Sequence, residues 1–111
     1  MISKLRISFL LFESRPNLRG QVPIFYRLIL DKKLKTHATG IYINAREWCK
    51  ISQRVIGSTD RERLLNSKLS ELESTYVKIE RQLYDEGKEV TLEAIYARFS
   101  GKVENTVKLT I

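Results

Sequence analysis

A length of 111 residues fits one domain with a modest core or a fragment of something larger. Its composition, 42% hydrophobic and 30% charged, is typical of a folded protein, and no apolar stretch is long enough to span a bilayer. The N-terminus lacks the basic region and apolar run of a signal peptide. The net charge of +7 indicates either a polyanionic partner, most often nucleic acid, or an ordinary basic surface. A single cysteine, Cys49, excludes an internal disulfide and suits the reducing cytoplasm.

The first half of the chain predicts three β-strands that form an antiparallel meander. They run over residues 4–12, 22–30 and 34–43, and the second loop is a tight turn of Asp31, Lys32 and Lys33. Apolar side chains of the first two strands alternate with outward-pointing side chains, which include Lys4, Arg6, Ser8 and Arg27. The outward face of the third strand stays undecided, because Gly40 could mark a bulge that shifts the alternation.

The segment after the third strand carries the only tryptophan, Trp48. It follows a polar turn and precedes a short strand that ends at Gly57. An indole is large enough to fill one end of a small core, so we predict that Trp48 packs in the core and does not stack on a ligand.

Helical signals dominate the second half of the chain. Thr59 and Glu62 have the spacing of a capping box, and apolar residues then recur at alternating intervals of four and three, at Leu65, Leu69, Leu72, Tyr76, Ile79 and Leu83. Gly87 is predicted to end this helix. A second, short helix is predicted between a cap at Thr91 and Gly101. Residues 102–111 show no periodicity and are predicted to form a linker.

These elements predict an α+β fold in which the three-stranded antiparallel sheet packs against the long helix, with the short second helix beside them. The heptad-like stripe of the long helix could instead form a dimer, but a sheet with one face to cover favours packing on the sheet.

The uncovered face of the sheet is basic. A thin antiparallel sheet can enter the DNA major groove, where Arg and Lys contact base edges and loop cations hold phosphates. The alternative is an ordinary solvated face. The residues predicted to contact DNA come from all three strands and both loops: Lys4, Arg6, Ser8, Arg15, Arg19, Arg27, Lys32, Lys33, Lys35 and Thr36.

A series of motifs sharpens this prediction. They are Pro-Ile-aromatic-x-Arg at 23–27, Ala-Thr-Gly-Ile at 38–41, Trp48 after a short polar turn, Arg-Val-x-Gly at 54–57 and Gly-Lys-x-Val-Thr at 87–91. In this order the sequence resembles, over residues 2–101, the N-terminal arm-type DNA-binding domain of phage-integrase-like tyrosine recombinases from mobile elements.

The resemblance implies that a helix-backed sheet enters the major groove of arm sites flanking a recombination core. It implies residues 1–101 as the DNA-binding domain (sheet 3–57, helices 59–101) and residues 102–111 as a linker toward a core-binding domain. The implied partners are double-stranded DNA and other recombinase protomers, in the cytoplasm. At Lys35 and His37 the family more often has apolar or aromatic residues, and we predict a partly buried, hydrogen-bonded His37.

Catalytic signals are absent from the sequence. Tyrosine recombinases use a Tyr nucleophile with Arg and His groups, and that set belongs to a separate, larger domain. This chain has one histidine and no metal, cofactor or P-loop motif, so it is not expected to be an enzyme or to bind a cofactor. Two other classes stay open: a dimerisation or protein-interaction module without DNA binding, and, more weakly, a compact toxin or RNA-processing enzyme.

Overall fold

The computed structural model describes residues 4–108 of the chain, and the side chains of residues 4–101. Its strands are β1 (Arg6–Leu11), β2 (Val22–Leu30), β3 (Lys33–Ile43), β4 (Trp48–Cys49) and β5 (Arg54–Val55), and its helices are α1 (Asp60–Asp85) and α2 (Leu92–Lys108). The predicted α+β class, with a three-stranded antiparallel sheet, a long helix and a shorter second helix, is confirmed. Neither helix, in the part described, is long and apolar enough to cross a membrane.

The strand order β1–β2–β3 puts β2 in the centre of the sheet. Asp31 and Lys32 both have left-handed backbones, with φ of 51° and 67°, and form a two-residue hairpin loop. Leu30 therefore lies opposite Lys33, and the pairing continues with Leu28 opposite Lys35 and Arg27 opposite Thr36. This register decides the facing of β3.

The pairing is irregular around Gly40, as considered, but this irregularity does not change which face the side chains of β3 occupy. Phe25 pairs with Ala38 and Pro23 pairs with Tyr42, so two extra residues of β3 fit into the irregularity. An even number of extra residues preserves the alternation, and Ala38 and Tyr42 stay on the same face. The Thr39 hydroxyl donates to the carbonyl of residue 24 at 2.7 Å and replaces part of the interrupted ladder.

Both helices cover one side of the sheet, which we call the inner face. Tyr26 of β2 and Tyr76 of α1 share a hydroxyl–hydroxyl hydrogen bond of 2.7 Å. From α2, Tyr96 stacks on His37 of β3. The apolar stripe of α1 is buried in this core, with Leu69, Tyr76, Ile79 and Leu83 each at most 3% exposed, so it is not available to form a dimer.

The small β4–β5 hairpin and α1 protect the free edge of β1. Trp48 of β4 is 8% exposed and belongs to the core, as predicted. The buried carboxylate of Glu80 accepts the backbone N–H groups of Lys4 and Leu5 at 3.0 and 3.1 Å. Further along β1, the N–H of Phe9 donates to the side-chain oxygen of Gln53 at 2.9 Å. These hydrogen bonds satisfy backbone N–H groups at the edge of the sheet that could otherwise pair with a strand of another molecule.

Helix boundaries follow the predicted signals except at the end of α2. The Thr59 backbone N–H donates to Glu62 in the predicted capping box, and Gly87, with φ of 72°, ends α1. Thr91 caps α2 through the N–H of Ala94. The prediction that α2 stops at Gly101 is wrong, because the helix continues to Lys108. An interior glycine costs only about 1 kcal/mol and does not prevent helical geometry. Of the predicted linker, residues 109–111 lie outside the described residues, as does residue 3 of the predicted sheet.

Candidate nucleic-acid interface

The side of the sheet opposite the helices, which we call the outer face, carries the candidate site. Residues that pair directly across an antiparallel sheet point to the same side. The register therefore arranges the outer face in three rows, which run across the strands as Arg6–Ile29–Leu34, Ser8–Arg27–Thr36 and Leu10–Phe25–Ala38.

The central row is polar and its neighbours are largely apolar. Arg27 is exposed in the middle of the central strand, between the hydroxyls of Ser8 and Thr36. Leu34, in the row on one side, is 51% exposed. A guanidinium with hydroxyl neighbours can donate to base edges, and flanking apolar side chains can contact thymine methyl groups.

An aromatic pair extends the outer face toward the β1–β2 loop. The rings of Phe12 and Phe25 stack with centroids 4.0 Å apart and an interplanar angle of 5°. The guanidinium of Arg15 lies over Phe12, 5.7 Å from the ring centroid, within cation–π range. The pair explains how an outward-pointing Phe25 is partly covered, and it restrains Arg15 near the end of the sheet.

The β1–β2 loop is held in shape by one asparagine. The side-chain oxygen of Asn17 accepts the backbone N–H groups of Arg19 and Gln21 at 3.0 and 2.9 Å. Its own backbone N–H donates to the carbonyl of Gln21 at 2.8 Å. Arg19 is therefore presented to solvent from a fixed backbone, where its guanidinium can contact a phosphate.

Positive charge is concentrated on the sheet half of the sequence. Residues 1–57 carry eleven basic and three acidic side chains, whereas residues 58–111 carry nine basic and ten acidic ones, giving net charges of +8 and −1. Among the residues that the structure describes, the cations in ion pairs are Arg54, Arg61, Lys88 and Arg98, and none of them was predicted to contact DNA. Uncompensated cations on this half suit a polyanionic ligand.

The structure brings together only part of the predicted contact set. Arg6, Ser8, Arg27 and Thr36 share the outer face, Lys4 is exposed just before β1, Arg15 and Arg19 lie in the β1–β2 loop, and Lys32 lies in the β2–β3 loop. Lys33 and Lys35 do not belong with them. They pair with Leu30 and Leu28 and therefore point to the inner face, on the other side of the sheet from Arg27.

His37 also lies on the inner face, opposite Tyr26. Its ring stacks on Tyr96 with centroids 4.1 Å apart and an angle of 3°. Burial, and then the nearby charge of Lys35, lowers the pKa of His37 and favours the neutral ring. The predicted partial burial is confirmed, but the predicted hydrogen bonding is wrong at Nε2, which has no partner among the described residues.

Two contributors to the outer face were not predicted from the sequence. The amide nitrogen of Gln53 donates to the hydroxyl of Ser8 at 3.2 Å, and no local pattern signals a contact between residues so far apart in the chain. The stacking of Phe12 on Phe25 was also missed, although the alternation of β1 puts Phe12 on the same side as Ser8. That alternation is the signal that would have found it.

Comparison with known proteins identifies a DNA-binding family. A family model described as an arm DNA-binding domain matches residues 9–96, which include β2, β3, α1 and the start of α2. Searches among curated proteins and among solved structures found no match. Within the described part of the chain, no group of three or more His, Cys, Asp or Glu side chains could hold a metal ion.

Proposed function

The chain belongs to the family of arm DNA-binding domains, and from that membership we propose that it binds double-stranded DNA by placing the outer face of its sheet in the major groove. The observation that carries the proposal is the position of Arg27. It stands exposed at the centre of a sheet face that neither helix covers.

The dimensions of the sheet suit the groove. Neighbouring strands lie about 4.8 Å apart, so the axes of β1 and β3 are separated by about 10 Å. The major groove of B-DNA is about 12 Å wide, which leaves room for one thin sheet but not for a sheet with helices on both faces. With β2 in the centre, Arg27 faces the floor of the groove, where guanine offers O6 and N7 as a bidentate acceptor pair.

The remaining outer-face groups and loop cations have complementary roles. Arg15 and Arg19 lie beyond one end of β2 and Lys32 beyond the other, because successive hairpin loops lie at opposite ends of the central strand. These cations are positioned for phosphates on the two sides of the groove, which supply affinity without sequence preference. Ile29 and Leu34 supply an apolar surface beside Arg27 for a thymine methyl group.

The biological role that we propose is arm-site binding as a module of a site-specific tyrosine recombinase that acts in the cytoplasm. Cleavage and joining would then belong to a separate catalytic domain, and the further partners would be other protomers of the recombinase. The coding sequence around this chain tests this role directly. An adjoining tyrosine recombinase catalytic domain supports it, and an unrelated neighbouring domain contradicts it.

DNA binding itself is tested by selecting a duplex from a random library and titrating it by fluorescence anisotropy at several salt concentrations. Each phosphate contact should contribute a slope of about −0.9 to log K against log salt. A scrambled duplex of the same length serves as the control for specificity. We expect steep salt dependence on both duplexes and tighter binding to the selected one. Binding that does not change between low and physiological salt would contradict the proposal.

A further inference from the structure

Gln53 is held against the outer edge of β1 by its backbone and by both ends of its amide. Its backbone is left-handed, with φ of 55°, at the end of the β4–β5 turn, where its N–H donates to the Cys49 carbonyl at 2.8 Å. Its side-chain oxygen accepts the N–H of Phe9 at 2.9 Å, and its side-chain nitrogen contacts the hydroxyl of Ser8 at 3.2 Å. The side chain therefore has little freedom to rotate.

These contacts determine the orientation of the Gln53 side-chain amide. A backbone N–H can only donate, so the atom facing Phe9 must be the amide oxygen, and the amide nitrogen must face Ser8. The amide N–H then occupies a lone pair of the Ser8 hydroxyl, whose hydrogen must point elsewhere. Among the residues that the structure describes, no acceptor receives that hydrogen.

Ser8 lies directly opposite Arg27 in the central row of the outer face. Two donors thus stand side by side, one a guanidinium and the other a hydroxyl whose hydrogen is directed away from Gln53. Acceptors in the major groove include O6 and N7 of guanine, N7 of adenine and O4 of thymine, whereas cytosine presents a donor there.

We propose that Gln53 is a positioning residue that makes Ser8 a hydrogen-bond donor to N7 of the purine next to the guanine contacted by Arg27. The inference rests on the proposed function and adds to it a preference for a purine over cytosine at the position next to that guanine. Gln53 does not touch the DNA in this arrangement and acts only through the orientation of the Ser8 hydroxyl.

The decisive variant is Gln53→Glu. A carboxylate keeps the oxygen that accepts the Phe9 N–H, but it presents an acceptor to Ser8, so the hydroxyl hydrogen turns toward Glu and away from the DNA. The added negative charge weakens binding to every duplex, and the ratio of affinities for the selected and scrambled duplexes removes that effect. Lys50→Ala, in the same hairpin, changes the net charge equally and is the matched control.

We expect Ser8→Ala and Gln53→Glu each to lower this ratio about fivefold, the value of one hydrogen bond, while Lys50→Ala leaves it unchanged. The Ser8→Ala/Gln53→Glu double variant should lose no more than Ser8→Ala alone. In the selected duplex, replacing the adjacent purine with its 7-deaza analogue should cost wild type about fivefold and Ser8→Ala nothing. This last measurement does not depend on how well the Gln53 variant folds.

The inference is overturned if Gln53→Glu keeps the wild-type ratio, if the double variant loses the product of the two single effects, or if Ser8→Ala responds to the 7-deaza duplex as wild type does. Arg27→Ala separates this failure from that of the proposed function. If Arg27→Ala lowers the ratio but the Ser8 and Gln53 variants do not, only the present inference fails. If Arg27→Ala also leaves the ratio unchanged, the proposed function fails as well.

Discussion

The buried hydroxyl pair of Tyr26 and Tyr76 joins the central strand to α1. It predicts that removing both hydroxyls destabilises the protein less than removing either one alone. The two oxygens lie 2.7 Å apart, and the residues are 3% and 0% exposed. Tyr76→Phe removes the hydrogen bond and leaves the Tyr26 hydroxyl buried without its partner, which costs about 1–3 kcal/mol. Tyr26→Phe should cost a similar amount for the same reason. The double Phe variant leaves no orphaned hydroxyl and should lie within about 1 kcal/mol of wild type.

Urea denaturation, followed by the far-ultraviolet circular dichroism of the four proteins, measures these free energies of unfolding. Thermal melts give an independent estimate, because 1 kcal/mol corresponds to about 4–8 °C in a domain of this size. The double variant should be more stable than either single variant. If the double variant instead loses as much free energy of unfolding as the two single variants together, the two hydroxyls contribute independently and are not coupled by a shared buried hydrogen bond.

Two further predictions concern the core and the junction between the helices. Trp48 is 8% exposed within the core, so Trp48→Ala should lower the free energy of unfolding by about 3–5 kcal/mol in urea, and its folded fraction should keep the wild-type ratio of DNA affinities. A stably folded variant that has lost this ratio would refute the structural role. Hydrogen bonds from Arg98 and then Lys88 lower the pKa of Glu86 from 4.5 to about 2. This carboxylate therefore stabilises the fold above pH 4.5, and the contribution is lost as the pH falls toward 2. The Glu86→Gln variant should be less stable than wild type at neutral pH and should lose less stability on acidification. If its acid-unfolding profile matches that of wild type, Glu86 does not contribute to stability in this way.

Local signals were sufficient for α1. The cap at Thr59, the apolar stripe of α1 and the stop at Gly87 all depend on residues within a few positions of one another, and each is present as predicted. Gly101 shows the limit of such signals. A glycine lowers helix propensity without excluding the helix, and whether the helix continues is not fixed by that residue alone.

The facing of β3 was undecided because Gly40 could mark a bulge that shifts the alternation, and the β2–β3 turn was predicted as three residues, Asp31 to Lys33. The actual loop has two residues, and a two-residue loop alone fixes the pairing of Arg27 with Thr36 and of Leu28 with Lys35. An Asp-Lys turn lacks the Asn-Gly or Asp-Gly sequence that marks this loop most clearly, so the loop length could not be read with the usual rule.

Contacts between residues that are far apart in the chain could not be predicted from the sequence, for a different reason. The amide of Gln53 meets Ser8 across the free edge of β1, and His37 stacks on Tyr96 across the inner face. Neither pair shares a local periodicity, and both depend on how the hairpin and α2 dock on the sheet. These two contacts determine, respectively, how Ser8 is presented on the outer face and why His37 is absent from it.

Comparing Arg27→Ala with Lys35→Ala decides whether the outer face is the surface that reads the DNA sequence. Both substitutions remove one exposed positive charge from the sheet, but Arg27 lies on the outer face and Lys35 on the inner one. The measurement is the ratio of affinities for the selected and scrambled duplexes at one fixed salt concentration. Arg27→Ala should lower this ratio about 5- to 150-fold, which corresponds to a loss of about 1–3 kcal/mol in discrimination between the two duplexes. Lys35→Ala should leave the ratio unchanged. If Arg27→Ala keeps the wild-type ratio, or if the two variants change it equally, the outer face does not read the DNA sequence.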